Sequence, residues 1–529
     1  MNIEKTNSPP EATIMSKRPP RNKYAIACAL LASMTSVLLG YDIAVMSGAQ
    51  IYIKENLHIT DTQIEILAGI INLYSLAGSL AAGRTSDWIG RRYTMILAAA
   101  IFFAGALLMG LAPNYAILML GRFVAGIGVG YALMIAPVYT AEVSPASSRG
   151  CLTSFPEVFI NSGILLGYVA NLAFSKLPIN INWRLMLLGG AVPPVFLAAG
   201  VLAMPESPRW LVMQGRIEEA QRVLFKTSDT PEEAEERLRD IKSTLGIPDN
   251  CTDDNSVAMI KRNSGEGVWK DLLLRPTPSV RRILIAAVGL QFFQQASGID
   301  SLVLYSPRIF EKAGLKSNSN SIGATVAVGF CKTAFVLVSV FFVDQIGRRT
   351  LLLASSTGMV ISFLILGTSL AVIDNNPDKK LTWAGALSIT SVLTFAASFA
   401  SGYGPLAWVY SSEIFPLRLR AQGASIGTAV NRIMSGVVTM TFLSLYKAIT
   451  LAGSFYLYAG IAALGALFIY FFLPETRGRS LEDMEVLFGK VAEEKVGEKN
   501  GEVTSAFAEN RPVNKEDMDG KAELHASGK

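Results

Sequence analysis

Long apolar stretches alternate with short polar ones along most of the chain. A helix that crosses the hydrocarbon core of a bilayer needs about 20 mostly apolar residues, because about 30 Å is covered at about 1.5 Å per residue. The stretches that meet this requirement are 24–46, 66–83, 93–112, 115–138, 155–175, 185–204, 283–305, 322–343, 350–373, 383–412, 421–446 and 453–473. The pattern therefore predicts an all-α membrane protein with twelve transmembrane helices.

The polar remainder forms an arm, a central linker and a tail. Residues 1–23 are rich in proline and contain no small-residue cleavage site, so we expect a disordered cytoplasmic arm rather than a secretory signal. The linker, 206–281, contains Thr230-Pro231-Glu232-Glu233, which has the cap, first-turn proline and third-position glutamate of a helix start. We expect short helices in it. The tail, 475–529, is charged and predicted to be mostly disordered.

Composition agrees with a membrane protein and excludes several functions. The 529 residues are 51% hydrophobic and 17% charged, which is atypical of a soluble multi-domain protein. Four scattered cysteines and two histidines form no disulfide framework or zinc-site pattern. A GxxxxGK[ST] phosphate loop is absent, which argues against an ATP-driven pump. We expect a protein that is not an enzyme, holds no metal or other cofactor and binds no nucleic acid.

Basic residues flank the apolar stretches unevenly. Lys and Arg next to transmembrane helices are retained on the cytoplasmic side. Short basic clusters follow the second stretch (Arg84, Arg91, Arg92), the eighth (Arg348, Arg349) and the tenth (Arg418, Arg420). An even-numbered stretch ends on the same side as the amino terminus. Both termini are therefore predicted to be cytoplasmic.

Three motifs that combine an acidic residue with arginine occur twice, in the same order. GRTSDWIGRR at 83–92 recurs as VDQIGRR at 343–349, AEVSPASSRG at 141–150 as SEIFPLRLRAQG at 412–423, and PESPRW at 205–210 as PETRGR at 474–479. This duplication divides the protein into two six-helix halves, 24–205 and 282–474. Parallel halves of this kind hold their substrate between them near the middle of the membrane.

The repeated motifs place opposite charges at the predicted cytoplasmic ends of neighbouring helices. Charge-assisted hydrogen bonds between them would close the cytoplasmic face and break when it opens. Static anchoring of the topology is the alternative, although anchoring requires only the basic residues. The predicted cytoplasmic gate comprises Asp87, Arg91, Arg92, Glu142, Arg149, Glu206, Arg209, Asp344, Arg348, Arg349, Glu413, Arg420, Glu475 and Arg477.

Seven motifs together resemble the signature set of the sugar porter family of the major facilitator superfamily. They are GRTSDWIGRR, PVYTAEVSPASSRG, PESPRWL, QQASGID, VDQIGRR, GYGPLAWVYSSEIFP and PETRGRSLE, and they follow the family order over residues 24–485. LLASMTSVLLGYDIAVMSGA and LAFSKLP…WRLMLLGGAVPP are similar to plant polyol and monosaccharide proton symporters. The resemblance implies the major facilitator fold with pseudo-symmetric halves.

Six charged residues fall within the apolar stretches. A lone charge at the bilayer centre costs roughly 2.5–3.5 kcal/mol or more, so we expect these side chains to face an internal cavity and compensate one another. Asp42 and Arg122 lie at matching depths, and separating or drying such a pair would make the carboxylate take up a proton. The resemblance also implies proton coupling by these two residues, and a purely structural ion pair is the alternative. The other four are Glu157, Asp300, Lys332 and Arg432.

The seventh stretch carries a row of amides suited to hydroxyl groups. Gln291, Gln294 and Gln295 share one face of a helix and offer both donors and acceptors. The resemblance assigns Gln294 and Gln295 to sugar hydroxyls and implies a substrate contact for Asn431 and an apolar wall for Trp408. Tyr305 completes the predicted substrate-binding set, together with Gln291, Glu157, Asp300 and Lys332.

Four positions depart from the family pattern by placing charges where amides or tryptophan are usual: Glu157, Asp300, Lys332 and Arg432. Asp300 and Lys332 are expected to pair and to suit flexible linear polyols as well as ring sugars. The expected function is proton-coupled symport of monosaccharides or polyols across the plasma membrane by a monomer. A passive uniporter and a non-transporting sugar sensor are the alternatives.

Overall fold

The computed structural model describes residues 22–145, 149–244, 247, 276–315, 317–376, 381–415 and 419–476, and all regular secondary structure in these ranges is helical. Residues 1–21 and 477–529, which hold most of the predicted arm and tail, lie outside this description. The first half contains α1 (Lys23–Ser33), α2 (Val37–Leu57), α3 (Asp61–Ile89), α4 (Arg91–Gly110), α5 (Tyr115–Val143), α6 (Arg149–Leu152), α7 (Phe155–Phe174), α8 (Ile179–Leu188) and α9 (Val192–Leu202). The linker contains α10 (Pro208–Met213), α11 (Ile217–Thr227) and α12 (Pro231–Thr244). The second half contains α13 (Pro278–Ala296), α14 (Ile299–Lys312), α15 (Asn318–Ile346), α16 (Arg348–Asp374), α17 (Thr382–Ser398), α18 (Gly404–Glu413) and α19 (Arg420–Phe472).

Ten helical segments of the described chain are long and apolar enough to cross a membrane. Two further spans bring the count to the predicted twelve. The seventh is divided into α13 and α14 at Gly298, which has a φ of 82°, and α19 contains the last two spans, separated by non-helical backbone at Ile449 and Thr450. The prediction of an all-α protein with twelve membrane helices is confirmed.

Three spans are interrupted without being divided. Short 3-10 turns join α1 to α2 at Met34–Ser36 and α8 to α9 at Gly189–Ala191. In the tenth span, a π-helical turn at Phe399–Tyr403 joins α17 to α18. Such turns inside helices are frequent at functional sites, because they redirect the side chains that follow.

Glycine allows the helices of the first half to pack closely. A Cβ atom on Gly40 would lie 1.9 Å from the carbonyl oxygen of Ile160, and one on Gly163 would lie 2.4 Å from that of Val37. The backbones of α2 and α7 are therefore in direct contact. Small residues have this role in membranes, where helices associate by packing rather than by the hydrophobic effect.

The two ends of the bundle differ in how the halves meet. One end carries the linker helices, where the Trp210 indole donates to the carbonyl of Asp87 at 3.1 Å; we call it the linker end. At the opposite, far end, Gln50 of the first half donates to the carbonyl of Leu304 in the second half at 3.0 Å. Backbone and side chains of the two halves thus meet directly at the far end.

Candidate functional site

A cavity lies between the halves at the middle of the bundle. It contains about 420 Å³ of empty space, which includes the space at its open side. Its wall combines charged, amide, aromatic and aliphatic side chains: Leu39, Ile43, Glu157, Ile160, Ile164, Gln294, Gln295, Ile299, Asp300, Lys332, Phe399, Trp408 and Arg432. Both halves contribute, so a ligand here contacts both.

Asp42 and Arg122 form a buried ion pair beside this cavity. One guanidinium nitrogen of Arg122 donates to both carboxylate oxygens of Asp42, at 2.7 and 2.6 Å, and the side chains are 1% and 2% exposed. Neither residue lines the cavity, but Leu39 and Ile43 on the same helix do. The other two guanidinium nitrogens of Arg122 lack a hydrogen-bond partner among the described residues. The structure therefore brings together the pair that the sequence placed at equal depth.

Asp300 and Arg432 are each held by neighbouring polar groups. Ser435 donates to the carboxylate of Asp300. In the amide orientation that satisfies both neighbours, Gln295 donates to Asp300 at 3.0 Å and accepts from Arg432 at 3.3 Å. The Nε of Arg432 also donates to the side-chain oxygen of Asn431 at 3.0 Å. The amide of Gln295 thus links Asp300 to Arg432.

Lys332 does not form the ion pair with Asp300 that the sequence suggested. Within the described part of the chain, no carboxylate lies within 4 Å of its ammonium group. The ammonium is instead 5.5 Å from the centre of the Phe399 ring, and the residue is 3% exposed. The Oδ2 atom of Asp300 accepts from Ser435 and Gln295 instead.

Glu157 lies on α7, across the cavity from the second half. Its carboxylate accepts a hydrogen bond of 3.2 Å from the amide of Asn161, one helical turn along. A Cβ atom on Gly404 would lie 3.2 Å from the same carboxylate oxygen, so the acid packs against the glycine that begins α18. The residue is 8% exposed and lines the cavity.

Several predicted substrate contacts are hydrogen-bonded within the protein. The Asn431 amide donates to the side-chain oxygens of Gln291 (2.8 Å) and Gln294 (2.7 Å). Gln294 in turn donates to the carbonyl of Gly404 at 3.0 Å. Of these three amides only Gln294 lines the cavity. Direct contact of Gln291 and Asn431 with substrate stays a prediction.

The two aromatic predictions occupy different places. Trp408 lines the cavity, as expected for an apolar wall. Tyr305 does not: its hydroxyl donates to the carbonyl of Thr439 at 3.2 Å, and its ring stacks on Phe442 with centroids 4.9 Å apart. Its role in substrate binding stays a prediction.

Six wall residues were not predicted from the sequence: Leu39, Ile43, Ile160, Ile164, Ile299 and Phe399. Helical spacing offered a signal for some of them. Ile160 and Ile164 are three and seven residues after Glu157, and therefore share its helix face. Apolar residues at such spacing are too common to be recognised in advance.

The motif charges of the first half converge at the linker end. Arg91 donates to Asp87 at 3.0 Å and to Glu142 at 3.2 Å. Glu206 accepts hydrogen bonds from the backbone N–H groups of Arg91 and Arg92 at 2.9 and 3.2 Å. Burial raises the pKa of Glu206, and these N–H groups oppose that shift. Arg209 is exposed.

The second half repeats this arrangement. Glu475 accepts from the backbone N–H groups of Arg348 and Arg349 at 2.9 and 3.0 Å. Gly90 and Gly347 begin the two equivalent helices with φ of 95° and 104°, and a Cβ on either would meet the carboxylate of Glu206 or Glu475 within 3 Å. The side chains of Arg149, Asp344, Glu413, Arg420 and Arg477 lie outside the described residues. Among the described residues these contacts join segments of the same half, and their action as a gate stays a prediction.

A polar contact between the halves at the far end was missed by the sequence analysis. Glu65 accepts from the backbone N–H and the hydroxyl of Ser444, both at 2.7 Å, and is 2% exposed. Asp61, one turn earlier, accepts from Lys54 at 2.5 Å and from Lys447 of the second half at 2.6 Å. Charges at the ends of predicted spans look like ordinary solvated residues, so the sequence gave no reason to select them.

Comparison with known proteins gives consistent relatives over nearly the whole chain. The profile of a family described as "Sugar (and other) transporter" matches residues 28–488. Polyol transporter 5 of Arabidopsis thaliana is 66% identical over 480 residues, covering 90% of this chain and 89% of that protein. Putative polyol transporter 1 of the same plant is 64% identical over 479 residues, covering 90% and 94%.

Solved structures with the same architecture include a bacterial transporter. The major facilitator superfamily proton:xylose symporter XylE, bound to 6-bromo-6-deoxy-D-glucose, superimposes with a TM-score of 0.73 at 27% identity, covering 89% of this chain and 100% of that one. An inward-open structure of the E. coli protein gives 0.69 at 26% identity, covering 88% and 100%.

Proposed function

The chain belongs to the sugar porter family of the major facilitator superfamily and transports a sugar or polyol across a membrane, and we propose that it does so as a proton-coupled symporter of monosaccharides and of linear and cyclic polyols. The expectations of this family, of its fold and of a transporter rather than an enzyme are confirmed. Proton coupling, the choice of substrate and the sites involved are the proposal.

The buried pair of Asp42 and Arg122 is the observation that carries the proposal. Desolvating two charges is costly, and a pair that serves only stability is often no better than apolar side chains of the same size. Asp42 is held by a single guanidinium nitrogen and lies on the same helix as the cavity residues Leu39 and Ile43. Its proton affinity changes whenever the ion pair separates or water leaves its surroundings. Protonation of Asp42 can therefore be linked to substrate occupancy by alternating access.

The polyol assignment rests on the relatives and on the wall of the cavity. The Arabidopsis relatives are named polyol transporters, and the solved structure is named a proton:xylose symporter. Amide, carboxylate, ammonium and guanidinium groups surround this cavity, which gives hydroxyl groups both donors and acceptors. No cofactor besides the transported proton enters this scheme.

The orientation and location are part of the proposal. The linker end, where Arg91 and Arg92 lie, is taken as cytoplasmic because it carries the basic clusters. The far end then faces outward and both termini are cytoplasmic. We propose the plasma membrane as the location and a monomer as the functional unit.

Uptake by reconstituted protein tests the proposal. Proteoliposomes with an inward proton gradient of one pH unit should accumulate labelled sorbitol or glucose up to about tenfold, because one unit is equivalent to about 1.4 kcal/mol for one proton per neutral substrate. Asp42→Asn should still equilibrate substrate but not concentrate it. Asp374→Asn, which alters an exposed ion pair with Lys312, is the matched control and should concentrate normally.

Two outcomes would contradict the proposal. Concentrative uptake by Asp42→Asn would show that the proton is carried elsewhere. Wild-type uptake that only equilibrates, whatever the pH gradient, would establish a passive uniporter instead.

A further inference from the structure

Among the described residues none of the four charges in the cavity wall forms an ion pair, and two of them also have few neutral hydrogen-bond partners. Asp300 is held by Ser435 and Gln295, and Arg432 by Asn431 and Gln295. The ammonium of Lys332 has no ion-pair or hydrogen-bond partner within the part of the chain that the structure describes, and the carboxylate of Glu157 accepts a single hydrogen bond there, from Asn161 at 3.2 Å. Both side chains are more than nine-tenths buried and line the cavity.

Glu157 and Lys332 come from opposite halves, on helices that touch on either side of them. Toward the far end, a Cβ on Gly329 of α15 would lie 2.9 Å from the ring of Tyr168 on α7. Toward the linker end, Val336 and Val340 of α15 pack in one apolar cluster with Phe155 and Val158 of α7. Although the helices are in contact, no ion pair within 4 Å joins the two charges among the described residues.

The break between α17 and α18 borders both charges. Lys332 is directed toward the ring of Phe399, the first residue of the π-helical turn, and Glu157 lies against Gly404, the first residue after that turn. The edge of the Phe399 ring lies against Gly404 as well, so the two charges border the same turn. Both side chains line the cavity beside it.

A hydroxyl group is suited to a position between Glu157 and Lys332. A hydroxyl donates one hydrogen bond and accepts others at a single oxygen, whereas a carboxylate only accepts and an ammonium only donates. A buried ammonium without a partner and a buried carboxylate with one neutral donor are costly, so a group that satisfies both has a large advantage over an apolar group.

We propose that a hydroxyl of the substrate bridges Glu157 and Lys332, donating to the carboxylate and accepting from the ammonium, so that binding connects the two halves across α7 and α15. This inference rests on the proposed function and names the chemistry of its binding site. It also assigns specificity. A neutral hydroxyl satisfies both charges, whereas the carboxylate of an acid sugar can satisfy only Lys332 and the ammonium of an amino sugar only Glu157, and each repels the other member of the pair.

Binding of sorbitol to the purified protein, measured by calorimetry, tests the bridge. Glu157→Gln and Lys332→Met should each weaken sorbitol binding by roughly tenfold or more, since each removes a charged hydrogen-bond partner. Glu218→Gln and Lys312→Gln replace the same residue types at exposed positions and should bind as the wild type does. Sorbitol affinity within twofold of wild type in both cavity variants would overturn the inference.

A second measurement uses only the wild-type protein, so that it does not depend on the variants folding. Sorbitol should bind at least tenfold more tightly than either gluconate or glucosamine. Equal binding of either charged analogue would also overturn the bridge. Failure of the proposed function looks different: the wild type would then show no proton-driven uptake, whereas failure of the bridge alone leaves that uptake intact.

Discussion

The contact between Glu65 and Ser444 at the far end gives a quantitative prediction about opening. Glu65→Ala removes two hydrogen bonds of 2.7 Å between the halves. Hydrogen bonds to charged groups contribute about 1.5–3 kcal/mol each. Ser444 is exposed, so the lower value applies, and the loss is about 3 kcal/mol. The ratio of open to closed far ends should then rise roughly 100-fold.

The neighbouring ion pair should matter much less. The side chain of Lys447 is 60% exposed, and Asp61 keeps Lys54 when Lys447 is removed. Exposed ion pairs contribute about 0.2–1 kcal/mol, so Lys447→Ala should raise the same ratio by about fivefold at most. Glu65→Ala should therefore open the far end more than Lys447→Ala, because it removes two hydrogen bonds to a buried carboxylate and not one exposed ion pair.

Accessibility of a cysteine in the cavity measures this opening. The reporter is Ile43→Cys, which lines the cavity, in a protein whose four native cysteines are replaced by alanine. A membrane-impermeant maleimide added from outside should label it at a rate proportional to the open fraction. Glu55→Ala, an exposed acid near the same end, is the control and should not change the rate. Equal labelling of the Glu65→Ala and Lys447→Ala proteins would refute the reasoning.

Two further predictions concern stability and use thermal unfolding of the purified protein. Gly40→Ala should lower the free energy of unfolding by about 2 kcal/mol or more, because the new Cβ atom would meet the Ile160 carbonyl. Gly460→Ala is the control and should leave it unchanged, because nothing lies within 4 Å of a Cβ atom at that position. Equal unfolding midpoints of the two variants would contradict the contact between α2 and α7. Glu206→Ala should lower the midpoint more than Glu206→Gln, because the amide oxygen still accepts from the N–H groups of Arg91 and Arg92. A larger loss for the glutamine variant would exclude that role.

The sequence was sufficient for the architecture because a bilayer constrains every residue of a crossing helix. Backbone polar groups must be bonded within the helix, and apolar length must match the membrane, so the spans can be counted along the chain. The pairing of Asp42 with Arg122 followed from depth alone. Glu206 and Glu475 have equivalent roles, since each accepts from the backbone N–H groups at the start of a helix that follows a glycine. The repeated motifs PESPRW and PETRGR already indicated this equivalence.

The structure decided which polar groups meet. Lys332 and Asp300 were expected to pair, but Asp300 accepts a hydrogen bond from Ser435 and the ammonium of Lys332 lies near the ring of Phe399. Gln291 and Asn431 are bonded to each other rather than directed into the cavity. Hydrogen bonds and ion pairs depend on distances of a few ångströms between helices that are far apart in the chain. Residue type and depth limit these choices, but only the packing of the two halves selects among them.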